Sequence, residues 1–168
     1  MCSSDLAGDV NGDGLADLIV GAYRSAPNDI ALAGRSYIVF GKTGGGPVEL
    51  AAVAAGLGGF VINGECATDY SARIVASAGD INGDGLADLI VGAQGADPAS
   101  GANAGRTYVV FGKTGGGSIE LSSLATGTGG FVIDGQCASD LSGRSVAGAG
   151  DVNGDGLADL IIGAPFAD

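Results

Sequence analysis

A nine-residue segment occurs three times in this chain, at Asp9–Asp17, Asp80–Asp88 and Asp151–Asp159, with 71 residues from each start to the next. Each copy reads Asp-x-Asn-Gly-Asp-Gly-Leu-Ala-Asp, where x is Val or Ile. Oxygen-bearing side chains therefore stand at positions 1, 3, 5 and 9, with glycines at 4 and 6. Alternate side chains of a tightly coiled loop point inward together when glycine lets the backbone turn sharply between them. Ca²⁺, a hard cation, takes about 6–8 oxygens from carboxylates, amides and backbone carbonyls. The expected ligands are the side chains of Asp9, Asn11, Asp13 and Asp17 with the Leu15 carbonyl. Asp80, Asn82, Asp84, Leu86 and Asp88 form the second set, and Asp151, Asn153, Asp155, Leu157 and Asp159 the third. One Ca²⁺ per loop gives three in the chain. Asn-Gly and Asp-Gly are also hairpin-turn dipeptides, but a turn does not need three carboxylates in nine residues, and packing them without a cation costs repulsion.

The residues beyond each loop set it apart from helical calcium sites. An EF-hand needs an acidic ligand at position 12 and an amphipathic helix beyond it. Position 12 here is Val20, Val91 or Ile162. The downstream run, Asp-Leu-Ile-Val-Gly-Ala in the first two copies, is short, apolar, β-branched and bounded by glycine. That pattern predicts a strand buried on both faces, so the loop closes a β-hairpin.

The repeat extends far beyond the loop. Residues 7–77 align without a gap on 78–148, with 46 identities in 71 positions. Self-similarity at a long fixed period signals units that bury their faces against one another. The chain thus divides into a unit at 7–77, a second at 78–148 and the opening of a third at 149–168. Residues 1–6, Met-Cys-Ser-Ser-Asp-Leu, match neither repeat end and read as a non-native adapter scar. Both ends read as cuts, so a leader would not be visible here.

Composition removes several function classes. The net charge is −12, and nine of the 19 acidic residues lie in the three loops, so three Ca²⁺ would leave −6. Only seven Lys and Arg are present, too few and too scattered for a nucleic-acid surface or a polybasic membrane signal. No apolar run reaches the ~20 residues of a membrane-spanning helix. With no histidine, Ser-His-Asp triads, Cys-His pairs and His-ligated zinc are excluded within the chain. Gly41-Lys42-Thr43 and Gly112-Lys113-Thr114 lack both the upstream glycine and the long helix of a phosphate-binding loop. Cys66 and Cys137 occupy one repeat position; the simplest expectation is a small buried side chain, with pairing to a group outside the chain as the alternative. Arg35, Arg73, Arg106 and Arg144 also recur, and are expected to pair with Asp69, Asp140 or backbone carbonyls rather than a ligand.

In the second unit, strands are expected at 73–78, 89–93, 106–111 and 131–133, with one helical turn across 119–124. Four short strands with glycine punctuation fit an all-β, antiparallel propeller blade. Phe-Gly at 40–41 and 111–112, the acidic loops, and Gly163-Ala164-Pro165 together resemble the FG-GAP repeats of the integrin alpha-subunit propeller. The run Ala-Gly-Arg-Ser/Thr-Tyr-Ile/Val-Val-Phe-Gly-Lys is similar to bacterial integrin-alpha-like versions. The resemblance covers 7–168; the proline after Gly-Ala is replaced by Tyr23 in the first unit and Gln94 in the second. It implies a propeller of about seven four-stranded blades, of which about 2.3 are present, with Ca²⁺ in the first hairpin of each.

The resemblance also implies an extracellular or cell-surface setting, neighbouring blades as intramolecular partners, and a protein or glycan ligand. Within the chain, 15 of 16 positions match over 7–22, but only three of 11 over 23–33. An invariant scaffold beside a variable loop is how binding modules are built. Calcium is therefore expected to be structural, with ligand or adhesion contacts on the opposite loop face and no catalysis in this chain. The competing readings are a non-catalytic accessory propeller on a secreted hydrolase and a spacer in a large surface protein.

Overall fold

A computed structural model describes residues 3–168; Met1 and Cys2, to which part of the scar reading refers, lie outside the described residues. The architecture is all-β, built as propeller blades. The first blade runs β1 (Ser4–Gly8), β2 (Asp17–Ala22), β3 (Arg35–Val39) and β4 (Gly59–Asn63), each antiparallel to the next. The second runs β5 (Ile74–Gly79), β6 (Asp88–Ala93), β7 (Arg106–Val110) and β9 (Gly130–Asp134) in the same order. A third begins with the hairpin β10 (Ser145–Gly150) and β11 (Asp159–Gly163). Ser4, Asp5 and Leu6, set aside in the sequence reading, take the places in β1 that Val75, Ala76 and Ser77 hold in β5. The first sheet strand after Asn63 that belongs to the second blade is β5, so the 71-residue alignment divides the chain within a strand.

Burial shows how the blades stack. β2 and β6 have the same sequence, Asp-Leu-Ile-Val-Gly-Ala, yet β6 is buried throughout whereas β2 alternates. The cause is position. β6 has a blade on each side, while one face of β2 is open and leaves Leu18 44% exposed. One core, including Ile19, Ile38, Phe60, Leu89, Val91 and Tyr108, joins the first two blades. A smaller one joins Ala76, Ala78 and Ile90 to Val146 and Leu160 of the third hairpin.

The expected helical turn at 119–124 is only partly helical. Leu121–Leu124 forms the short helix α2, preceded by the two-residue strand β8 (Ile119–Glu120). β8 adds in parallel to the outer edge of the first blade, Ile119 opposite Ile62 and Glu120 opposite Asn63. The matching helix of the first blade is α1 (Leu50–Ala54).

The loops segregate to two faces. The acidic hairpins lie beside the β3–β4 and β7–β9 connections, joined by the Gly41 and Gly112 amides. On the opposite face each crossing to the next blade hydrogen-bonds the second-to-third strand loop. In the first blade the amides of Thr68, Tyr70 and Ser71 donate to the carbonyls of Ala31, Leu32 and Ala33.

Candidate metal centre

Each acidic loop is entered through a glycine bulge. Register shifts after Leu6, Ser77 and Gly148 leave Gly8, Gly79 and Gly150 at φ of +79°, +74° and +69°. Such a bulge sharpens the local twist and suits glycine because φ is positive. A Cβ on Gly8 would also lie 2.6 Å from the Ala87 Cβ of the next blade.

Beyond the bulge the three loops repeat one hydrogen-bond pattern. The Asp9 carboxylate accepts from the amides of Gly12 (2.7 Å), Asp13 (3.0 Å) and Gly14 (2.8 Å). Asn11 Oδ1 accepts from the Asp13 amide, its amide group donates to Asp13 Oδ2, and Asp13 Oδ1 accepts from Leu15. Asp80, Asn82 and Asp84 repeat these bonds, as do Asp151, Asn153 and Asp155. The loop coils because Gly12 and Gly14 sit at φ of +79° and +84°, and residues 1, 3 and 5 turn inward onto their own backbone.

The ninth residue is placed differently. Asp17 and Asp88 are fully buried at the heads of β2 and β6. Asp17 Oδ2 accepts from the Val10 amide at 2.9 Å and Oδ1 from the Gly41 amide at 2.7 Å. Asp88 does the same with Ile81 and Gly112. Burial pushes both carboxyls above the ordinary aspartate range, against the lowering effect of these amide donors. Asp159 accepts from Val152 and Asn153, being part-buried in its half-blade.

These contacts account for the Phe-Gly pair. The glycine amide must reach the buried aspartate, and a Cβ on Gly41 would sit 2.7 Å from both the Ala16 carbonyl oxygen and the Leu15 Cβ. Gly21 and Gly92, of the Gly-Ala pair, are equally confined: a Cβ there would lie 2.1 and 2.2 Å from the carbonyl oxygens of Ala72 and Gly143.

The donor set has the chemistry of a hard-cation site: three carboxylates, one amide oxygen and a carbonyl within nine residues. Among the described residues, the carbonyls of Leu15, Leu86 and Leu157 accept no hydrogen bond. Also among the described residues, no three acidic or cysteine side chains are gathered as a bound metal gathers them, the first two carboxylates of each loop, such as Asp9 and Asp13, being turned onto loop amides.

Other expected contacts change. Arg106 pairs with Asp134, directly across β7 and β9, at 2.5 Å, and with Glu65 at 3.3 Å, rather than with Asp69 or Asp140. Arg35 likewise bonds Asn63, its register partner, at 2.7 Å. Glu65 also accepts from the buried Tyr108 hydroxyl at 2.9 Å, so the first crossing is tied into the second blade. Asp69 and Asp140 instead cap their own turns, accepting from the amides of Cys66 and Cys137. Those turns direct both cysteines outward, so they are exposed and free rather than buried.

The FG-GAP repeat model matches residues 3–39, 72–110 and 142–168, more than half of the chain. The chain belongs to the FG-GAP repeat family. It is 35% identical over 163 residues to the phosphatidylinositol-glycan-specific phospholipase D of Bos taurus, covering 95% of this chain and 18% of that protein. To integrin alpha-4 of Xenopus laevis it is 31% identical over 166 residues, covering 96% of this chain and 14% of the integrin. To integrin alpha-E of Mus musculus the identity is 37% over 98 residues, or 54% and 8% of the two chains. The FG-GAP chain thus spans less than a fifth of the length of each. Its matched segments hold the first three strands of the two blades and the opening hairpin of the third, which include all three acidic loops.

Proposed function

We propose that this chain is a calcium-stabilised binding module: each acidic hairpin holds one Ca²⁺, and the opposite loop face meets an extracellular ligand or adhesion partner. The threefold recurrence of the five-oxygen donor set on one loop geometry carries the metal reading. Asp9, Asn11, Asp13, Asp17 and the Leu15 carbonyl would hold the first ion, with their repeat equivalents holding the others. Bound Ca²⁺ would neutralise carboxylates that otherwise repel, including the buried Asp17 and Asp88. The role is structural and non-catalytic. The setting, outside the cell or at its surface, rests on the integrin and phospholipase relatives; among the described residues no helix is long and apolar enough to cross a membrane.

Calorimetric titration of Ca²⁺ into metal-stripped protein tests this reading. Three ions per chain are expected, falling to two in Asp84→Ala; a chain that takes up none, or a variant that still takes up three, would overturn it. The similarity to a phospholipase D over 18% of its length favours a second reading, an accessory propeller attached to a secreted hydrolase. Sequencing of the surrounding reading frame separates the two.

A further inference from the structure

Most of the seven cationic side chains are occupied within the protein. Arg106 has two carboxylates, Arg35 an amide oxygen, and Lys42 and Lys113 the carbonyls of Gly46 and Gly117. Arg24, Arg73 and Arg144 have no such partner among the described residues, and of these Arg24 and Arg73 lie together. Both are exposed on the loop face, and among the described residues neither donates a hydrogen bond or meets a carboxylate. Both nevertheless converge on one ring: their guanidinium carbons lie 5.4 and 5.6 Å from the centroid of Tyr23. Tyr70 stands beside it, at 6.3 Å between centroids and tilted by 53°. The two phenol hydroxyls, among the described residues, are also without a hydrogen-bond partner.

Two like charges held over one ring repel, even though each gains from the aromatic face. The arrangement presents two planar guanidinium forks, which only donate, beside two phenol hydroxyls, which donate and accept, none of them engaged by a protein group among the described residues. Guanidinium forks match a carboxylate bidentately, and each such charge-assisted bond is stronger than a neutral one. The second blade lacks the constellation, having Gln94, Gly95 and Leu141 where the first has Tyr23, Arg24 and Tyr70. Arg144, the equivalent of Arg73, lies over Phe166 alone, at 6.0 Å. Three of the four residues therefore belong to the variable surface, Arg73 alone recurring in the second unit as Arg144.

We infer that Tyr23, Arg24, Tyr70 and Arg73 form a binding site for an acidic saccharide, the two guanidiniums receiving a uronate carboxylate, the phenol hydroxyls its hydroxyls and the Tyr70 ring its apolar face. This rests on the loop face being the ligand surface. A saccharide is favoured over an acidic peptide because its hydroxyls both donate and accept, as the two phenol hydroxyls do, whereas an acidic side chain offers the cluster acceptors alone.

The test is amide chemical-shift titration of the whole chain in Ca²⁺ with a glucuronate trisaccharide, using maltotriose as the neutral control and hexaglutamate as the peptide arm. Shifts at 23–24 and 70–73 are expected with glucuronate and not with maltotriose. Arg24→Gln and Arg73→Gln should each weaken binding about tenfold or more, while Arg144→Gln, which removes the same charge elsewhere, should leave it unchanged. These side chains are exposed, so the variants should melt with the parent. Absence of binding at millimolar glucuronate, or indifference to both substitutions, overturns the site. Equal or tighter binding of hexaglutamate overturns the saccharide assignment. Shifts confined to the 94–104 loop would remove this site but keep the loop-face reading; shifts confined to the acidic hairpins would remove both.

Discussion

The glycine of each Phe-Gly pair is held on two sides, by the amide bond to the buried aspartate and by the absence of room for a Cβ. In Gly112→Ala the new methyl would meet the Leu86 Cβ at 2.6 Å and the Ala87 carbonyl oxygen at 2.8 Å. Overpacking against backbone does not relax by a rotamer change, so the variant should lose about 2–4 kcal/mol, read from its urea midpoint. Asp69 sets a pH dependence of its own. Burial raises its carboxyl to about 6 from an ordinary value of 3.8, opposed by the Cys66 amide. Its contribution to stability is therefore fully present below about pH 3.8 and is lost as pH rises through about 6. Asp69→Asn should remove that slope and stabilise the protein by about 1 kcal/mol near neutrality, measured as denaturant midpoints across pH 4–8. The loop residues were legible in the sequence because their spacing is local. The partners of Arg106 and the exposure of Cys66 were not: strand register joins residues 28 apart in sequence, and a short turn decides which way the thiol points.

At the scale of elements, the second strand of each blade was readable and its surroundings were not. An unbroken apolar run correctly predicted a strand buried on both faces, yet the same six residues are half-open in β2, because burial depends on whether a neighbouring blade is present. β8 escaped the sequence reading for a related reason. Two residues carry no periodicity, and Ile119 and Glu120 are extended only because they lie against β4 of another blade. Glu120 fastens that strap, accepting from Asn63 Nδ2 at 2.6 Å and Asn28 Nδ2 at 3.2 Å. Glu120→Ala should cost about 1 kcal/mol and speed amide exchange where β8 pairs with β4, while leaving the β2–β3 pairing protected. An unchanged exchange rate there would mean that backbone pairing alone holds the strap, which also covers part of an otherwise open sheet edge.

Across the whole molecule the acidic loops are not independent. The Ala87 amide donates to the Asp9 carbonyl at 2.9 Å, Lys113 to Val10 at 2.9 Å, and Ala158 to Asp80 at 3.1 Å. Each loop thus supports the hairpin of the next blade, and a ligand that orders one loop bears on the stacking of its neighbour. The antiparallel order within a blade was legible in the short glycine-punctuated strands, but this coupling is a product of packing and has no sequence signature. If each loop binds Ca²⁺ only when folded, a site at a hundred times its Kd contributes about 2.7 kcal/mol, enough to dominate the stability of so small an array. The deciding measurement is thermal unfolding by circular dichroism, first in excess EDTA and then in millimolar Ca²⁺. The calcium account requires a β-type spectrum whose melting temperature rises with Ca²⁺ concentration. A folded chain that melts at the same temperature in both conditions would contradict it and reduce the nine-residue loops to turns.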